Sequence, residues 1–292
     1  MSPKVQVGPE LARSWLLVNA YQPSRFDKAA ASAADVVLLD IEDAVAPDHK
    51  NQARENVVKW LGEGNQAWVR INGHGTPWWT DDCEALAGLE GLQGVMLAMV
   101  EAPEHIERTA AKLPGVKIVA LVETARGVEN LRRIASAKEV FRLGFGLGDF
   151  RRDTGFADDP HALAYTRSQF TIASRSASLP GPIDGPAVGA VGVALAEATG
   201  VTSQFGMTGK ICLMAEQCPT VNEILSPSVP DMSWALDFLK EFKEAGNQIR
   251  NGSDLPRLAR ANKILNLADK FGLELPAGYE DVFQAPSDTY HY

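Results

Sequence analysis

The stretch KIVALVETARGVENL, residues 117–131, joins a buried strand to a carboxylate. Five consecutive apolar residues, Ile118 to Val122, are typical of a parallel strand that helices cover on both faces. The apolar run ends at Glu123, where an ionised carboxylate is costly to bury unless another group compensates its charge. The stretch therefore predicts a strand of a buried parallel sheet with a functional group at its carboxyl end.

The same pattern recurs along most of the chain. Short runs rich in Val, Ile and Leu alternate with longer segments of helical period, as in a parallel sheet covered by helices. Eight strands are predicted, at residues 15–19, 35–42, 67–72, 94–100, 117–123, 140–146, 182–188 and 209–214. No low-complexity linker separates them, which favours one closed barrel over an open doubly wound sheet. The predicted fold is α/β, a TIM (β/α)8 barrel with a C-terminal helical extension.

The chain is predicted to divide into a barrel core, residues 13–218, and a C-terminal helical arm, residues 219–292. Helical patterns in the arm include MSWALDFLKEFKEA (232–245) and LPRLARANKILNLADKF (255–271), and the tail at 280–292 is predicted to be irregular. Such an arm can cover the mouth of the barrel or pack on a neighbouring subunit. We favour the subunit contact and therefore expect a homo-oligomer.

The composition excludes several classes of partner. The 28 basic and 37 acidic residues give a net charge of -9 without a long basic run, which argues against nucleic-acid and anionic-membrane partners. No apolar run approaches the length of about 18 residues that a membrane span needs, and the N-terminus lacks the apolar core of a signal peptide. The 3 scattered cysteines do not form a disulfide framework. We expect a soluble, cytoplasmic protein.

Charged residues end four of the predicted strands, and they are Asp40, Glu42, Asp43, Arg70, Glu123 and Asp149. In a barrel of this type the chemistry gathers at the carboxyl ends of the strands. Glu123 and Asp149 follow neighbouring strands, and two carboxylates on an open rim suit Mg²⁺, which retains positions for water and substrate. Alternatively, Glu123 caps the following helix and Asp149 forms a turn with the glycines before it.

Arg70 ends an apolar strand, where a guanidinium needs an anionic partner. It can bind a substrate carboxylate through two parallel hydrogen bonds, or pair with Asp40 or Glu42 of the adjacent strand, or alternate between the two. Side chains alternate along a strand, so Asp40 and Glu42 are expected on one face and Asp43 on the other. One of these acids is expected to hold a metal-bound water or to orient Arg70, although a structural role is the alternative. Lys210, at the last strand, is interpreted either as a phosphate ligand or as a surface residue.

Five segments in order resemble the citrate lyase beta subunit-like family of the HpcH/HpaI aldolase superfamily, which includes malyl-CoA and citramalyl-CoA lyases. They are RSWLLVNAYQPSRFDKAAASAADVVLLDIEDAV (13–45), AWVRIN (67–72), VMLAMVEAPEHI (95–106), ALVETARGVENL (120–131) and LGFGLGDFRRDTG (143–155). The resemblance implies a TIM barrel, Mg²⁺ as cofactor, and cleavage of a 3-hydroxy-3-carboxy acyl-CoA to an acyl-CoA and a 2-oxo acid. It also implies small-molecule partners, an acyl-CoA or a 2-oxo acid, and we expect a homo-oligomer that is a trimer or a hexamer.

The resemblance also implies roles for individual residues. Glu123 and Asp149 match the metal ligands, and Arg70 matches the arginine that binds the substrate carboxylate. Arg70 and Glu123 are the expected substrate-binding residues, and Arg70, Asp40, Glu42 and Asp43 the expected catalytic group. Two alternatives are an oxo-acid aldolase acting on a substrate without CoA and a non-catalytic relative that binds Mg²⁺ and an oxo acid.

The chain departs from the family pattern at four places. Leu97-Ala98-Met99 replaces a common Leu-Pro-Lys, and Met214-Ala215 stands where His-Pro is common. Gly148 replaces a glutamate before Asp149, and a C-terminal Asp-Gly segment is reduced to Asn251-Gly252-Ser253-Asp254. We therefore expect an intact metal- and carboxylate-binding half of the site, and an altered half for CoA binding and proton transfer.

Overall fold

The structure, a computed structural model, describes residues 6–279. The tail at 280–292, predicted to be irregular, lies outside the described residues. The chain divides into two compact units, one formed by residues 8–222 and the other mainly by the chain after residue 222. The predicted contact of the C-terminal arm with a neighbouring subunit remains a prediction.

Eight parallel strands form a closed barrel in sequence order, which confirms the predicted fold class. They are β1 Ser14–Asn19, β2 Val36–Asp40, β3 Ala67–Ile71, β4 Leu92–Leu97, β5 Ile118–Val122, β6 Val140–Phe145, β7 Ile183–Asp184 and β8 Gly209–Cys212. All five residues of β5 are buried, as their continuous apolar run predicts. The barrel interior is filled by a cluster that includes Trp15, Leu38, Trp68 and Met96.

Every strand except β1 is shorter than predicted, and the difference matters most for β2 and β7. β2 ends at Asp40, so Ile41 and Glu42 belong to the turn that follows it and not to the strand. β7 contains only Ile183 and Asp184 because Pro186, which has no N–H to donate, follows almost immediately. The position of Glu42 in a turn frees its side chain from the strict alternation of a strand.

Helices follow the strands and cover the barrel. They are α1 Phe26–Ala30, α2 Lys50–Gly62, α3 Trp79–Leu86, α4 Pro103–Lys112, α5 Ala125–Glu129, α6 Leu131–Ala135, α7 Leu147–Thr154, α8 Ala164–Ser176, α9 Gly192–Gln204 and α10 Cys218–Ile224. Pro103 begins α4, where its missing N–H costs nothing. The left-handed Gly155 ends α7.

Strand register brings the predicted site residues to one end of the barrel. Asp40 of β2 lies opposite Arg70 of β3. Val122 of β5 lies opposite Phe145 of β6, so the next residues, Glu123 and Gly146, leave the barrel side by side. The register therefore fixes which charged groups meet at the carboxyl ends of the strands.

The C-terminal unit contains α11 Val229–Glu244 and α12 Asp254–Lys270, which confirms the predicted helical extension. The two helices share a core of Ala235, Leu236, Phe238, Phe242, Ala261 and Leu265. Ser228 caps α11 by accepting a hydrogen bond from the Asp231 N–H at 3.2 Å. None of the helices between residues 6 and 279 is both long and apolar enough to cross a membrane.

Candidate active site

Arg70 and Asp40 form a bidentate ion pair between neighbouring strands. Nε of Arg70 donates to Oδ1 of Asp40 at 2.8 Å, and Nη2 donates to Oδ2 at 2.7 Å. Nη1 lies 3.3 Å from Oε2 of Glu42. Burial alone would lower the pKa of Arg70, but the charge and hydrogen bonds of Asp40, with the charge of Glu42, raise it above its usual value. The expected pairing of Arg70 with the adjacent acids is therefore present.

Asp40 also organises the turn after β2. Its Oδ1 accepts a hydrogen bond from the Glu42 N–H at 2.9 Å, and its Oδ2 accepts one from the Ala44 N–H at 3.2 Å. Asp40 is fully buried, and its two oxygens serve both Arg70 and the turn. Asp43, by contrast, is exposed, and its N–H donates to Oε2 of Glu42 at 2.7 Å. The structure thus brings two members of the acidic triplet to Arg70 and leaves the third at the surface.

Lys50, which was not among the predicted site residues, holds the same turn. Its Nζ donates to the carbonyl oxygens of Ile41 at 3.0 Å and Glu42 at 2.7 Å, and to Oδ1 of Asn72 at 2.8 Å. Burial lowers the pKa of Lys50, although Glu42 and other acids oppose the shift. Three acceptors match the three protons of an ammonium group, so Lys50 is a donor here and not a base.

The position of Lys50 could have been found from the sequence. It lies on the buried face of α2 with Ala53, Val57 and Leu61, at the spacing of three to four residues that defines a helix face. A lysine among such residues needs buried acceptors. Its partner Asn72 is held in turn by Asp82, which accepts from the Asn72 backbone N–H at 3.0 Å and from its Nδ2 at 2.6 Å.

Glu123 is buried directly after β5, with 2% of its surface exposed. Its Oε1 accepts a hydrogen bond from the Met99 N–H at 2.7 Å. Burial, followed by the charge of Glu42, raises the pKa of Glu123 to about 8, although Met99 and Arg70 oppose the shift. Glu123 is not the cap of the next helix, because the Thr124 side chain fills that role by accepting from the Gly127 N–H at 3.1 Å. Capping of the next helix therefore does not explain the burial of this carboxylate.

Glu123 and Asp149 open onto the same cavity of about 330 Å³. The six lining residues are Met99, Glu123, Thr124, Asp149, Arg152 and Asp153. Asp149 lies in the first turn of α7, and its Oδ1 is 2.7 Å from Nη2 of Arg152. The two predicted metal ligands are thus brought together, and the charge of Asp149 contributes to the raised pKa of Glu123.

A larger cleft of about 570 Å³ lies away from these residues. It is lined by parts of α4 and by the residues at the starts of β5 and β6, including Lys117 and Phe141. This is the amino end of the barrel, whereas barrel enzymes carry their chemistry at the carboxyl end. The smaller cavity is therefore the candidate active site.

The residues of the smaller cavity fit Mg²⁺. The described residues contain no group of three or more His, Cys, Asp and Glu side chains placed to hold a metal ion. Mg²⁺ does not need one, since it is commonly bound by one or two carboxylates and retains waters or substrate oxygens elsewhere. Glu123 and Asp149 supply those two carboxylates. Burial is the main cause of the raised pKa of Glu123, and the charges of Glu42 and Asp149 add to it, so a cation would offset part of the shift.

Lys210 has neither of its expected roles. It is buried, and its Nζ donates to the carbonyl oxygen of Gly185 at 3.0 Å and to Oγ1 of Thr202 at 3.1 Å. It also lies 3.3 Å from Oδ2 of Asp184, whose Oδ1 lies 3.2 Å from Nε of Arg167. Both the phosphate and the surface interpretation are wrong, because Lys210 is committed to a buried ion-pair cluster.

Two of the four departures from the family pattern line cavities of the barrel. Met99 lines the candidate active site. Met214 and Ala215 line a separate cavity of about 110 Å³ with Arg25 and Lys28. In the C-terminal unit, Asp254 accepts a hydrogen bond from the Arg250 N–H at 2.8 Å.

The closed parallel barrel, with charged residues gathered at the carboxyl ends of its strands, belongs to the class of (β/α)8-barrel enzymes. Within that class, the chain belongs to the HpcH/HpaI aldolase/citrate lyase family. The family's sequence profile matches residues 13–181, and the profile of the HpcH/HpaI aldolase C-terminal domain matches residues 230–272. The protein is therefore a carbon–carbon lyase by family.

Two curated relatives illustrate the range of the family. A (3S)-malyl-CoA thioesterase from Cereibacter sphaeroides is 29% identical over 245 residues, covering 80% of this chain and 84% of the relative. An L-malyl-CoA/beta-methylmalyl-CoA lyase from Rhodobacter capsulatus is 28% identical over 281 residues, covering 80% of this chain and 85% of the relative. The chain is thus similar both to a lyase and to a thioesterase of CoA esters.

A solved structure shares the fold along most of the chain. CitE from Mycobacterium tuberculosis, in complex with magnesium, acetoacetate and coenzyme A, is 29% identical with a TM-score of 0.77. The match covers 89% of this chain and 99% of the CitE chain.

Proposed function

We propose that the protein is a Mg²⁺-dependent carbon–carbon lyase that cleaves a 3-hydroxy-3-carboxy acyl-CoA, of the malyl-CoA or citramalyl-CoA type, to an acyl-CoA and a 2-oxo acid. The observation that carries the proposal is that Glu123 and Asp149 open onto one cavity at the carboxyl end of the barrel. The malyl-CoA lyase and magnesium-bound CitE relatives support it.

In this reaction a base removes the proton of the 3-hydroxyl group. The electrons of the C2–C3 bond then move onto the thioester as an enolate, which takes a proton to become the acyl-CoA, while the carbinol carbon becomes the carbonyl carbon of the 2-oxo acid. Glu123 and Asp149 would hold Mg²⁺, which would supply a Lewis acid for the hydroxyl oxygen and the developing carbonyl oxygen.

Arg70 is suited to orient the carboxylate of the departing oxo acid. A guanidinium has five N–H donors, and Asp40 accepts from only two of its nitrogens. The bidentate bond fixes the plane of the guanidinium, and Nη1, which lies 3.3 Å from Oε2 of Glu42, has N–H groups that a substrate carboxylate can accept from. Asp40 is thus proposed as the residue that orients Arg70, and Arg70 as the residue that holds the substrate in a reactive position.

Glu42 is our candidate for moving a proton. Burial raises its pKa to about 7, although the charge of Arg70 opposes the shift. A carboxyl group with a pKa near the working pH can both accept and return a proton. Glu42 lies beside Arg70, and Arg70 is the residue expected to bind the substrate carboxylate.

The direct test is to incubate the protein with Mg²⁺ and either malyl-CoA or citramalyl-CoA, and to follow glyoxylate or pyruvate. Free CoA is measured in parallel, because thioester hydrolysis releases CoA whereas the lyase reaction leaves an acyl-CoA. Glu123→Gln should remove Mg²⁺-dependent turnover, and Glu90→Gln, at an exposed glutamate, is the matched control. Turnover of neither ester, together with calorimetric binding of a free oxo acid, would contradict the proposal.

The departures at Met99 and Met214-Ala215 favour one second candidate, an aldolase that acts on an oxo acid without CoA. Both positions line cavities of the barrel. We therefore expect the part of the substrate that carries CoA in the lyases to be a different group here. This candidate predicts release of pyruvate from a free 4-hydroxy-2-oxo acid in the same assay, with no turnover of CoA esters.

A further inference from the structure

Asp82 is a buried carboxylate of α3 that lies outside the cavity of Glu123 and Asp149. Its Oδ1 accepts hydrogen bonds from Nε of Arg54 at 3.0 Å and from Nη2 of Arg54 at 2.9 Å. Its Oδ2 accepts from the backbone N–H of Asn72 at 3.0 Å and from Nδ2 of Asn72 at 2.6 Å. Four donors fill the acceptor capacity of a carboxylate, so Asp82 is held firmly between α2 and the end of β3.

The bonds of Asp82 decide which way the amide of Asn72 points. Nδ2 of Asn72 donates both to Asp82 and to the carbonyl oxygen of Ile41 at 3.1 Å. Both partners are acceptors, so the NH2 group must lie on their side and Oδ1 on the other. That oxygen accepts from Nζ of Lys50 at 2.8 Å. An amide turned the other way would bring its NH2 group against an ammonium group, so Asp82 secures an acceptor for Lys50.

Lys50 extends this chain of contacts to the turn after β2. Its other two hydrogen bonds go to the carbonyl oxygens of Ile41 at 3.0 Å and Glu42 at 2.7 Å. On the other side of the turn, the N–H of Glu42 donates to Oδ1 of Asp40 at 2.9 Å. The backbone of Glu42 is thus fixed at both its N–H and its carbonyl, and the carbonyl bond depends on Lys50.

Arg70 takes its orientation from a different acid. Its Nε and Nη2 donate to Asp40 at 2.8 and 2.7 Å. Asp82 acts on the turn from the side of Lys50, so removal of its carboxylate should disturb Glu42 more than Arg70. In kinetic terms, the loss should fall on kcat more than on KM.

We propose that Asp82 is a positioning residue, which acts through Asn72 and Lys50 to hold Glu42 in place for proton transfer. The inference rests on the proposed function, in which Glu42 moves the proton and Arg70 holds the substrate carboxylate. Asp82 itself touches neither the substrate nor the metal in this assignment.

Hydrogen exchange followed by mass spectrometry tests the structural link without a substrate. Asp82→Asn keeps the size of the side chain, but an amide has only one oxygen to offer the donors. The peptide that carries the Glu42 and Ala44 N–H groups should exchange about tenfold faster, as expected when one hydrogen bond is lost. Asp184→Asn is the matched control, because Asp184 is similarly buried and binds another buried lysine, Lys210. It should leave the exchange of this peptide unchanged.

Kinetics distinguish a positioning role from a general loss of stability. At temperatures below unfolding, Asp82→Asn should lower kcat at least about tenfold and leave KM within about twofold. Asp184→Asn should keep both within about twofold. Asn72→Ser is a second variant of the same link, because serine is too short to bond both Asp82 and Lys50. It should reproduce the effect of Asp82→Asn, and the double variant should lose no more than the larger single loss, since both act through one path.

Several results would overturn the role of Asp82 and leave the proposed function intact. They are an unchanged exchange rate of the Glu42 peptide in Asp82→Asn, an unchanged kcat in Asp82→Asn and Asn72→Ser, an equal loss of kcat in Asp184→Asn, and additive losses in the double variant. A wild-type protein without turnover would overturn the proposed function and, with it, the role of Asp82 in proton transfer.

Discussion

The backbone of Gly146 passes directly against the carboxylate of Glu123. A Cβ atom at Gly146 would overlap Oε2 and Cβ of Glu123, and Gly146 has no positive φ that would by itself require glycine. Glycine is needed at this position for space, because β5 and β6 deliver the two residues side by side.

Gly146→Ala should therefore displace Glu123. We expect a loss of Mg²⁺ binding and a destabilisation of about 1–3 kcal/mol, as for other overpacked sites. Gly148→Ala is the control, because a Cβ there would meet nothing within 4 Å. Calorimetric titration with Mg²⁺ and denaturant unfolding measure both effects, and equal Mg²⁺ affinity in the two variants would refute the packing argument.

Mg²⁺ binding should strengthen as the pH rises. In the metal-free protein the pKa of Glu123 is raised to about 8, so the carboxyl group is protonated below that pH and must lose its proton to bind the ion. The apparent affinity should fall by up to about tenfold per pH unit below pH 8 and level off above it. Calorimetry in two buffers of different ionisation enthalpy measures the released proton. Binding without proton release at pH 7 would be inconsistent with this ionisation.

Lys50→Met should destabilise the protein and impair the site. The variant leaves the carbonyl oxygens of Ile41 and Glu42 and the amide oxygen of Asn72 without their shared donor. We expect a loss of about 2–4 kcal/mol in the free energy of unfolding. Lys59→Met, at an exposed lysine of the same helix, should change it by less than about 0.5 kcal/mol. Similar denaturation midpoints for the two variants would show that the three bonds of Lys50 contribute little.

Arg70→Lys should reduce kcat/KM about 100-fold, because an ammonium group cannot keep the two parallel bonds to Asp40 and orient a substrate at the same time. The measurement is the Mg²⁺-dependent cleavage of whichever ester the wild-type protein turns over. Retention of full kcat/KM by the lysine variant would show that the geometry of the guanidinium is not used.

The pattern of apolar runs predicts the barrel because β5 and its neighbours are buried on both faces. A strand in that position needs apolar side chains at nearly every residue, so a continuous apolar run identifies it. The pairing of Arg70 with Asp40 is also readable, since the carboxyl ends of adjacent parallel strands must meet. In these cases the local sequence and the topology determine the contact together.

Other features depend on side-chain geometry that a linear pattern does not carry. Ile41 and Glu42 leave β2 because the Asp40 carboxylate accepts hydrogen bonds from the N–H groups of Glu42 and Ala44. Lys210 reads as a polar residue at a strand start, yet it is buried because Asp184 lies on the adjacent strand. Arg152 lies at the cavity because it is three residues after Asp149 in α7 and so shares one face of that helix with it.

Met99 contacts Glu123 through its backbone N–H and holds a φ of 54°, which few residues with a side chain adopt. The group that anchors the carboxylate is therefore one that every residue except proline possesses. The side chain at position 99 can change, as it has relative to the lysine common in the family pattern, without removing that anchor. A substitution after β4 can therefore change the lining of the cavity while the Glu123 carboxylate keeps its position.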